Sequence, residues 1–293
     1  CVVFKSGFIN LIGLPNAGKS SLINNLLEQN FSIVTKKAQT TRHRAFAILN
    51  GKNFQAIISD TPGFTNPKNK IHDYMNKKIL DSFKDADIIL FVVELGIKNK
   101  KDDKLIEKLK KSKVPLLLVL NKMDKINQIK LEEEIEFWSS ELKNIEIWVI
   151  SVKENFNINS LKKRLIELLP EGPKYFPVDT WTDKNERFFV NEIIREKIFK
   201  IYKQEIPYSS EVITESFKMK NKILKISSVI IVEKPSQKGI IIGNAGETIK
   251  KVGIESRKDL EIFFNKKVFL NLEVKIIKDW RKNNNHLKKL GYN

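Results

Sequence analysis

Gly13-Leu14-Pro15-Asn16-Ala17-Gly18-Lys19-Ser20, with Ser21 behind it, decides how the first half of this chain is read. The apolar run 8–12 precedes it, and a helical pattern from Lys19 to about Glu28 follows. A glycine-rich turn between strand and helix lets backbone N–H groups close around phosphate oxygens, and the helix N-terminus adds its dipole. Lys19 brings a positive charge to the β/γ-phosphates, and the Ser20 hydroxyl suits a magnesium ion. Taken alone, the motif leaves open a chance strand–turn–helix carrying a surface lysine.

Three further segments, in order along the chain, argue against chance. Asp60-Thr61-Pro62-Gly63 ends an apolar run, which places the Asp60 carboxylate to hold a magnesium shell. The Gly63 N–H can reach a γ-phosphate, and glycine tolerates the dihedral change when that phosphate leaves. Asn121-Lys122-Met123-Asp124 chooses the base. A carboxylate at Asp124 accepts from guanine N1–H and the exocyclic amine, whereas adenine presents an acceptor there and leaves the charge unpaired. Asn121 is expected to bridge base and phosphate loop, with the Lys122 stem over the ring. Ser151-Val152-Lys153 would add backbone contacts to guanine O6. The four together predict a site for GTP or GDP with Mg²⁺.

Within the polar loop 35–44, Thr41 is the expected second hydroxyl on magnesium beside Ser20 and Asp60, and Thr40 is its rival. Lys19, Thr41, Gly63 and Asn16 are the expected catalytic set. Many GTPases place Gln after the Gly63 position to orient the attacking water. Here the residue is Phe64, which offers no hydrogen bond, so intrinsic hydrolysis should be slow or the water held otherwise. Asn16 could help seat a monovalent cation such as K⁺ against the phosphates. Its alternative role is to stabilise the loop.

The rest of the first 170 residues alternates short apolar runs with helical periods, the pattern of a mostly parallel sheet flanked by helices. Asn50-Gly51 between two alternating runs signals a hairpin. Residues 171–184 break the rhythm with Gly172, Pro173 and Pro177 and read as a linker. Residues 185–293 follow another order: a long helix, two long strands, an apolar run read as strand, Gly243-Asn244-Ala245-Gly246, a helix and a last strand. That is a second, α+β domain. The glycine pair has two readings, a tight turn or a loop whose backbone clamps single-stranded nucleic acid. Lys250, Arg257 and Lys258 follow it and would support the second reading.

The formal net charge of +18 rests on 46 Lys against 7 Arg, beside 27 Asn. Such lysine and asparagine inflation fits an A+T-rich coding bias, so charge alone does not decide for a polyanion partner. The last 61 residues, at +7, are the densest stretch. One Cys excludes an internal disulfide, and three scattered His disfavour structural zinc. No apolar run approaches the ~20 residues of a membrane span. The chain opens on Cys1 without an initiator Met, so its start is expected to be trimmed. Because the phosphate loop lies so early, no secretory signal is expected.

Beyond the generic motifs, the chain resembles the Era family of bacterial GTPases over essentially its full length. The resemblance is carried by Lys37-Ala-Gln-Thr-Thr-Arg-His43, Asn191-Glu-Ile-Ile-Arg-Glu-Lys197, Pro207-Tyr-Ser209, Gly253-Ile-Glu-Ser-Arg-Lys-Asp259 and Leu290-Gly-Tyr292. It implies a P-loop GTPase domain followed by a type II KH domain, and a hydrophobic residue at Phe64 as normal. It further implies binding to the 3′ end of small-subunit (16S) ribosomal RNA in the GTP form, and a part in 30S subunit assembly. The expected setting is cytoplasmic and the expected state monomeric. The basic surface permits peripheral contact with the inner membrane. Asn283–Asn285 depart from the family pattern in the tail. Alternatives are a related cation-dependent GTPase of tRNA modification, or an RNA-binding module with a vestigial GTPase half.

Overall fold

The computed structural model describes residues 3–32, 34, 40–67, 69–97, 102–143 and 145–292. The chain forms two compact units. Of the described residues, the first comprises 3–32, 41–67, 72–97, 102–143 and 145–183, and the second comprises 34, 40, 69–71 and 184–292.

Six strands build the sheet of the first unit: β1 (Lys5–Ile12), β2 (Ala45–Asn50), β3 (Phe54–Asp60), β4 (Ile88–Glu94), β5 (Leu116–Asn121) and β6 (Glu146–Val149). Their order is β2-β3-β1-β4-β5-β6, with β2 antiparallel to β3 and every other pair parallel. Helices α1 (Lys19–Leu27), α2 (Lys70–Ser82), α3 (Asp103–Lys110), α4 (Gln128–Glu141) and α5 (Ile158–Leu168) complete the series. Ile88 to Val93 of β4 are all buried, as a parallel strand covered on both faces demands. Phe91, Leu118 and Leu120 pack there against Leu105 and Leu109 of α3 and Trp138 of α4. The chain leaves β1 toward β3 on one side and β4 on the other, so the loop after β1 sits at the switch point where α/β sheets bind ligands. The motifs beginning at Gly13, Asp60, Asn121 and Ser151 all fall at or just beyond the carboxyl ends of strands, on one edge.

Residues 171–183 belong to this unit rather than hanging free. Gln55, fully buried on β3, accepts from the N–H groups of Tyr175 and Phe176 at 2.8 and 2.9 Å. Its amide donates to the Phe176 carbonyl at 2.8 Å, so one side chain fastens the segment along the sheet.

The second unit has a three-stranded sheet of β7 (Glu211–Lys220), β8 (Ile223–Val232) and β9 (Lys267–Ile276), in the order β7-β8-β9. β7 and β8 are antiparallel and β8 and β9 parallel. Asn221 and Lys222 join the first two as a two-residue turn with both φ values positive, matching strand twist. Helices α6 (Glu186–Ile201), α7 (Ile206–Ser209), α8 (Pro235–Ile242), α9 (Glu247–Phe264) and α10 (Asn284–Lys289) accompany it. Ile194, Ile198, Val252 and Leu260 from α6 and α9 bury against Leu224, Ile226 and Val268.

One expectation is corrected here. The apolar run before Gly243 is the end of α8, not a strand. Pro235 takes a position in the first turn, and the Gln237 side chain accepts from the Glu233 and Lys234 N–H groups, fixing the helix start. Three successive isoleucines (240–242) carry no period by which a strand and a short helix could be distinguished.

Candidate functional site

The phosphate loop is drawn around Lys19. Its ammonium, almost fully buried, donates to the Gly13 and Leu14 carbonyls at 3.2 and 3.0 Å. Burial pushes its pKa down to about 8, against the opposing pull of Asp60. Gly18 is left-handed at φ 96°, and a Cβ there would stand 2.2 Å from Asn121 Nδ2, so only glycine lets the loop and that strand end meet. Gly63 is equally close-set, with Pro15 N 2.6 Å from where its Cβ would be. Phe64 donates its N–H to the Gly13 carbonyl and buries its ring in the apolar cluster of the sheet, away from any role toward water. Thr61 and Pro62 are buried beside it, and the Thr61 hydroxyl donates to the Leu11 carbonyl at 2.5 Å. Leu14, Pro15 and Ser21 are half-buried and Ala17 buried, whereas Asn16 is exposed with φ 66°.

Ser20, Thr41 and Asp60 converge. Ser20 Oγ lies 3.0 Å from Thr41 Oγ1 and 3.0 Å from Asp60 Oδ2, and Thr41 Oγ1 is 3.4 Å from the same oxygen. Oxygen donors of this kind suit a hard cation such as Mg²⁺. Between the rival threonines, the Thr41 hydroxyl is the one in the cluster. Thr40 instead has its carbonyl taken by Arg195 Nη2 at 2.8 Å. Ser32, which the sequence reading passed over, donates to Asp60 Oδ2 at 2.6 Å. Burial raises the Asp60 carboxyl, opposed by Ser32, Lys19, Ser20 and Thr41 in turn.

The base-reading segments also come together. Asn121 is buried at the end of β5, and its amide donates to the Ala17 carbonyl at 3.0 Å across 104 residues. Its Oδ1 accepts from the Lys122 and Val152 N–H groups at 2.8 and 3.3 Å. One side chain therefore ties three of the four motifs together. Lys122 is left-handed at φ 68° and its ammonium reaches the Asn16 carbonyl at 2.7 Å and Glu94 at 2.6 Å. Glu94, a second residue the sequence reading missed, also pairs with Lys125 at 2.9 Å. The Ser151 hydroxyl donates to Asp124 Oδ1 at 2.7 Å, which is the largest cause of that carboxyl lying below its ordinary range. Lys153 Nζ stands 3.9 Å from its other oxygen, and Met123 is half-buried alongside. Ser151 thus contributes its side chain, not only its backbone.

In the second unit, Gly243 (φ 73°, ψ −179°) takes a backbone that suits only glycine, and a Cβ would meet Thr248 Oγ1 at 2.1 Å. Gly246 is left-handed and faces open space. Asn244 and Ala245 between them are exposed, with Ala245 at φ 47°. Lys250 and Arg257 lie seven apart on α9 and are exposed on one stripe. Lys258 is exposed too, with Glu255 3.5 Å away.

A profile described as 50S ribosome-binding GTPase matches residues 8–122, and one described as KH domain matches 205–281. GTPase Era of Clostridium kluyveri is 42% identical over 99% of this chain and 100% of that protein. Era of Clostridium acetobutylicum is 41% identical over 99% and 98%. The chain belongs to the Era family of GTPases. Two solved Era structures superpose at 35% identity, each over 99% of both chains. One, with MgGDPNP and nucleotides 1506–1542 of 16S ribosomal RNA, gives a TM-score of 0.92. The other, an Aquifex aeolicus Era variant bound to GDP·AlF4⁻, gives 0.91. An Era-family chain hydrolyses GTP, and here a P-loop GTPase domain precedes a KH domain.

Proposed function

We propose that this Era-family GTPase is a nucleotide-dependent switch that binds the 3′ region of 16S ribosomal RNA through its KH domain and assists 30S subunit assembly. The observation that carries the reading is the convergence of the four motifs, three of them tied by Asn121, in a chain that also holds a Gly243–Gly246 loop shaped for backbone approach. A full-length relative solved with MgGDPNP and 16S nucleotides supports the ligand classes. Residues 1–170 would serve as GTPase domain, 171–184 as connection and 185–293 as RNA-binding domain.

In the proposed roles, the loop from Gly13 to Ser21 cradles the phosphates, with Lys19 compensating charge on the β/γ-phosphates. Ser20 and Thr41 would ligate Mg²⁺ and Asp60 would hold its shell. When bound, that ion spreads the charge developing on the transferring phosphoryl. The segment from Asp60 to Phe64 would follow the γ-phosphate through the Gly63 N–H. Asp124 would read guanine N1–H and N2–H, with Asn121, Lys122 and Met123 shaping the base site and Ser151, Val152 and Lys153 closing it. Gly243, Asn244, Ala245 and Gly246 would clamp the RNA backbone, with Lys250, Arg257 and Lys258 beside it. Asn16, exposed at the loop tip, would help seat K⁺, and hydrolysis should then run faster in KCl than in NaCl. Equal rates in the two salts remove that role.

No described helix is long and apolar enough to cross a membrane. We infer a monomer working in the cytoplasm, with any membrane contact peripheral. The deciding measurement is affinity for a 16S 3′-end RNA with GDP and with a non-hydrolysable GTP analogue, at about 0.15 M salt. Tight, sequence-dependent, analogue-favoured binding supports the switch. Binding that ignores both sequence and nucleotide overturns it.

A further inference from the structure

Away from the β7–β8 turn, Val229 and Ile231 are buried on the face opposite the helices too, but toward that turn the helices of the second unit bury only one face of its sheet. On that side lie Phe217, Leu224, Ile226, Val268 and Leu270, packed with α6 and α9. Strand alternation sends the intervening residues the other way. Register places Lys218 opposite Lys225, and Lys225 opposite Phe269, in one row across all three strands. The adjacent row is Lys220, Ile223 and Lys267. All six are exposed, Phe269 to 60%. This face is therefore opposite the layer that carries the Gly243–Gly246 loop between α8 and α9.

Three features of these rows need an explanation. Like charges directly opposite across a strand pair are destabilising, and Lys218 and Lys225 are such a pair. Among the ion pairs of the described residues, none involves Lys218, Lys220, Lys225 or Lys267. By comparison, Lys275 at the other end of the same face is matched to Glu215 at 3.0 Å. Finally, Phe269, on the edge strand β9 beside Lys225 and two residues beyond Lys267, keeps 60% of its surface in water. No packing role keeps an aromatic there, since its one cross-strand neighbour is the cation Lys225.

We propose that this open face is a second single-stranded RNA platform, on which a base stacks on Phe269 while phosphates lie along Lys218, Lys220, Lys225 and Lys267. An exposed aromatic beside cations offers what a single strand needs and a duplex does not: a π-face for an unpaired base, with positive charge next to it to meet the backbone. The platform ends where Glu273 and the Lys275–Glu215 pair restore acidic character. The proposal rests on the RNA-binding reading above and extends it to a longer stretch of strand than the glycine loop can clamp.

The test uses the full chain with Mg²⁺ and a non-hydrolysable GTP analogue, and two fluorescein-labelled RNAs. One spans the 16S segment 1506–1542 seen with the relative. The other is about four to six nucleotides from its single-stranded end, roughly what a KH loop holds. Phe269→Ala should weaken the long RNA about tenfold, as expected for loss of one base–aromatic stack, and leave the short RNA unchanged. Phe269→Trp should restore binding of the long RNA, with indole fluorescence quenched by the stacked base. Lys218→Gln with Lys225→Gln should lower the salt dependence of long-RNA binding by about 1.4 in log–log slope. An effect of Phe269→Ala below twofold on the long RNA overturns the platform, as does equal weakening of both RNAs. Equal effects on a fully paired hairpin would also overturn it, by pointing to shape or charge alone. A wild-type chain that binds neither RNA above a scrambled control overturns the underlying RNA reading instead, a distinguishable result.

Discussion

Replacing Ser151 with Ala removes one hydroxyl at the bottom of the base site. The side chain is buried, donates to Asp124 Oδ1 at 2.7 Å and accepts from the Glu154 N–H at 3.2 Å. In the free protein the Asp124 side chain keeps 15% exposure, so water can replace the lost donor. Under a bound guanine that access closes, since the base uses both carboxylate oxygens and covers them. The lone pair once met by Ser151 is then unsatisfied, at a cost of about 1–1.5 kcal/mol, the low end of a bond to a charged group. Fixing a carboxylate no longer pre-set adds about 0.5 kcal/mol. The total of about 1.5–2 kcal/mol corresponds to a roughly 10- to 30-fold rise in Kd for GDP. Titration calorimetry of GDP with Mg²⁺ at pH 7.5 reads it directly. The variant should also begin to lose affinity at a higher pH on acidification. Its Asp124 carboxyl loses the main cause of its depression and so takes up a proton earlier. A Kd within twofold of wild type, with an unchanged unfolding midpoint, would refute the idea that this hydroxyl sets the carboxylate.

The buried Lys19, at about 8, loses its proton in the free protein as pH rises through that value, whereas bound phosphates hold it protonated. The Lys19 contribution to nucleotide affinity should be constant below pH 8 and fall toward about tenfold per unit above it. Calorimetry in buffers of different ionisation enthalpy should detect proton uptake on binding at pH 8.5, and none would refute the shift. Gly18→Ala drives a Cβ into Asn121 Nδ2 and breaks its bond to the Ala17 carbonyl, so GDP binding should weaken roughly a hundredfold; equilibrium dialysis checks it. Gly246→Asp meets nothing near its Cβ but strains the left-handed backbone, so the unfolding midpoint should fall by only about 2–4 °C, while a negative charge is placed where RNA phosphate would approach. RNA affinity should drop at least about tenfold with GTPase turnover unchanged, whereas Gly243→Ala should lower the midpoint through backbone strain and the Thr248 clash.

Local sequence determined the kinds of group this protein uses and the order in which the chain supplies them. A glycine loop ahead of a helix can hold phosphate wherever it stands, and Asn50-Gly51 can make its hairpin from neighbours alone, because turns and capping need only a few adjacent residues. The residue types at Lys19, Ser20, Asp60 and Asp124 limited the chemistry before any packing was known. Tertiary structure decided the partners. Asn121 finds the Ala17 carbonyl across 104 residues, Ser32 reaches Asp60 and Glu94 steadies Lys122, and none of these pairs is marked by spacing. The choice of Thr41 over Thr40 likewise depended on which hydroxyl the loop turned toward Asp60. The run ending at Ile242 was ambiguous because three successive isoleucines have no period, and the core that α8 packs against made it a helix. The segment 171–183 carried the glycine and prolines of a linker, yet one buried glutamine on β3 holds it to the sheet. The physical reason is that hydrogen-bond partners of buried groups are set by which strands and loops are brought within 3 Å, and that is fixed by sheet order rather than by distance along the chain.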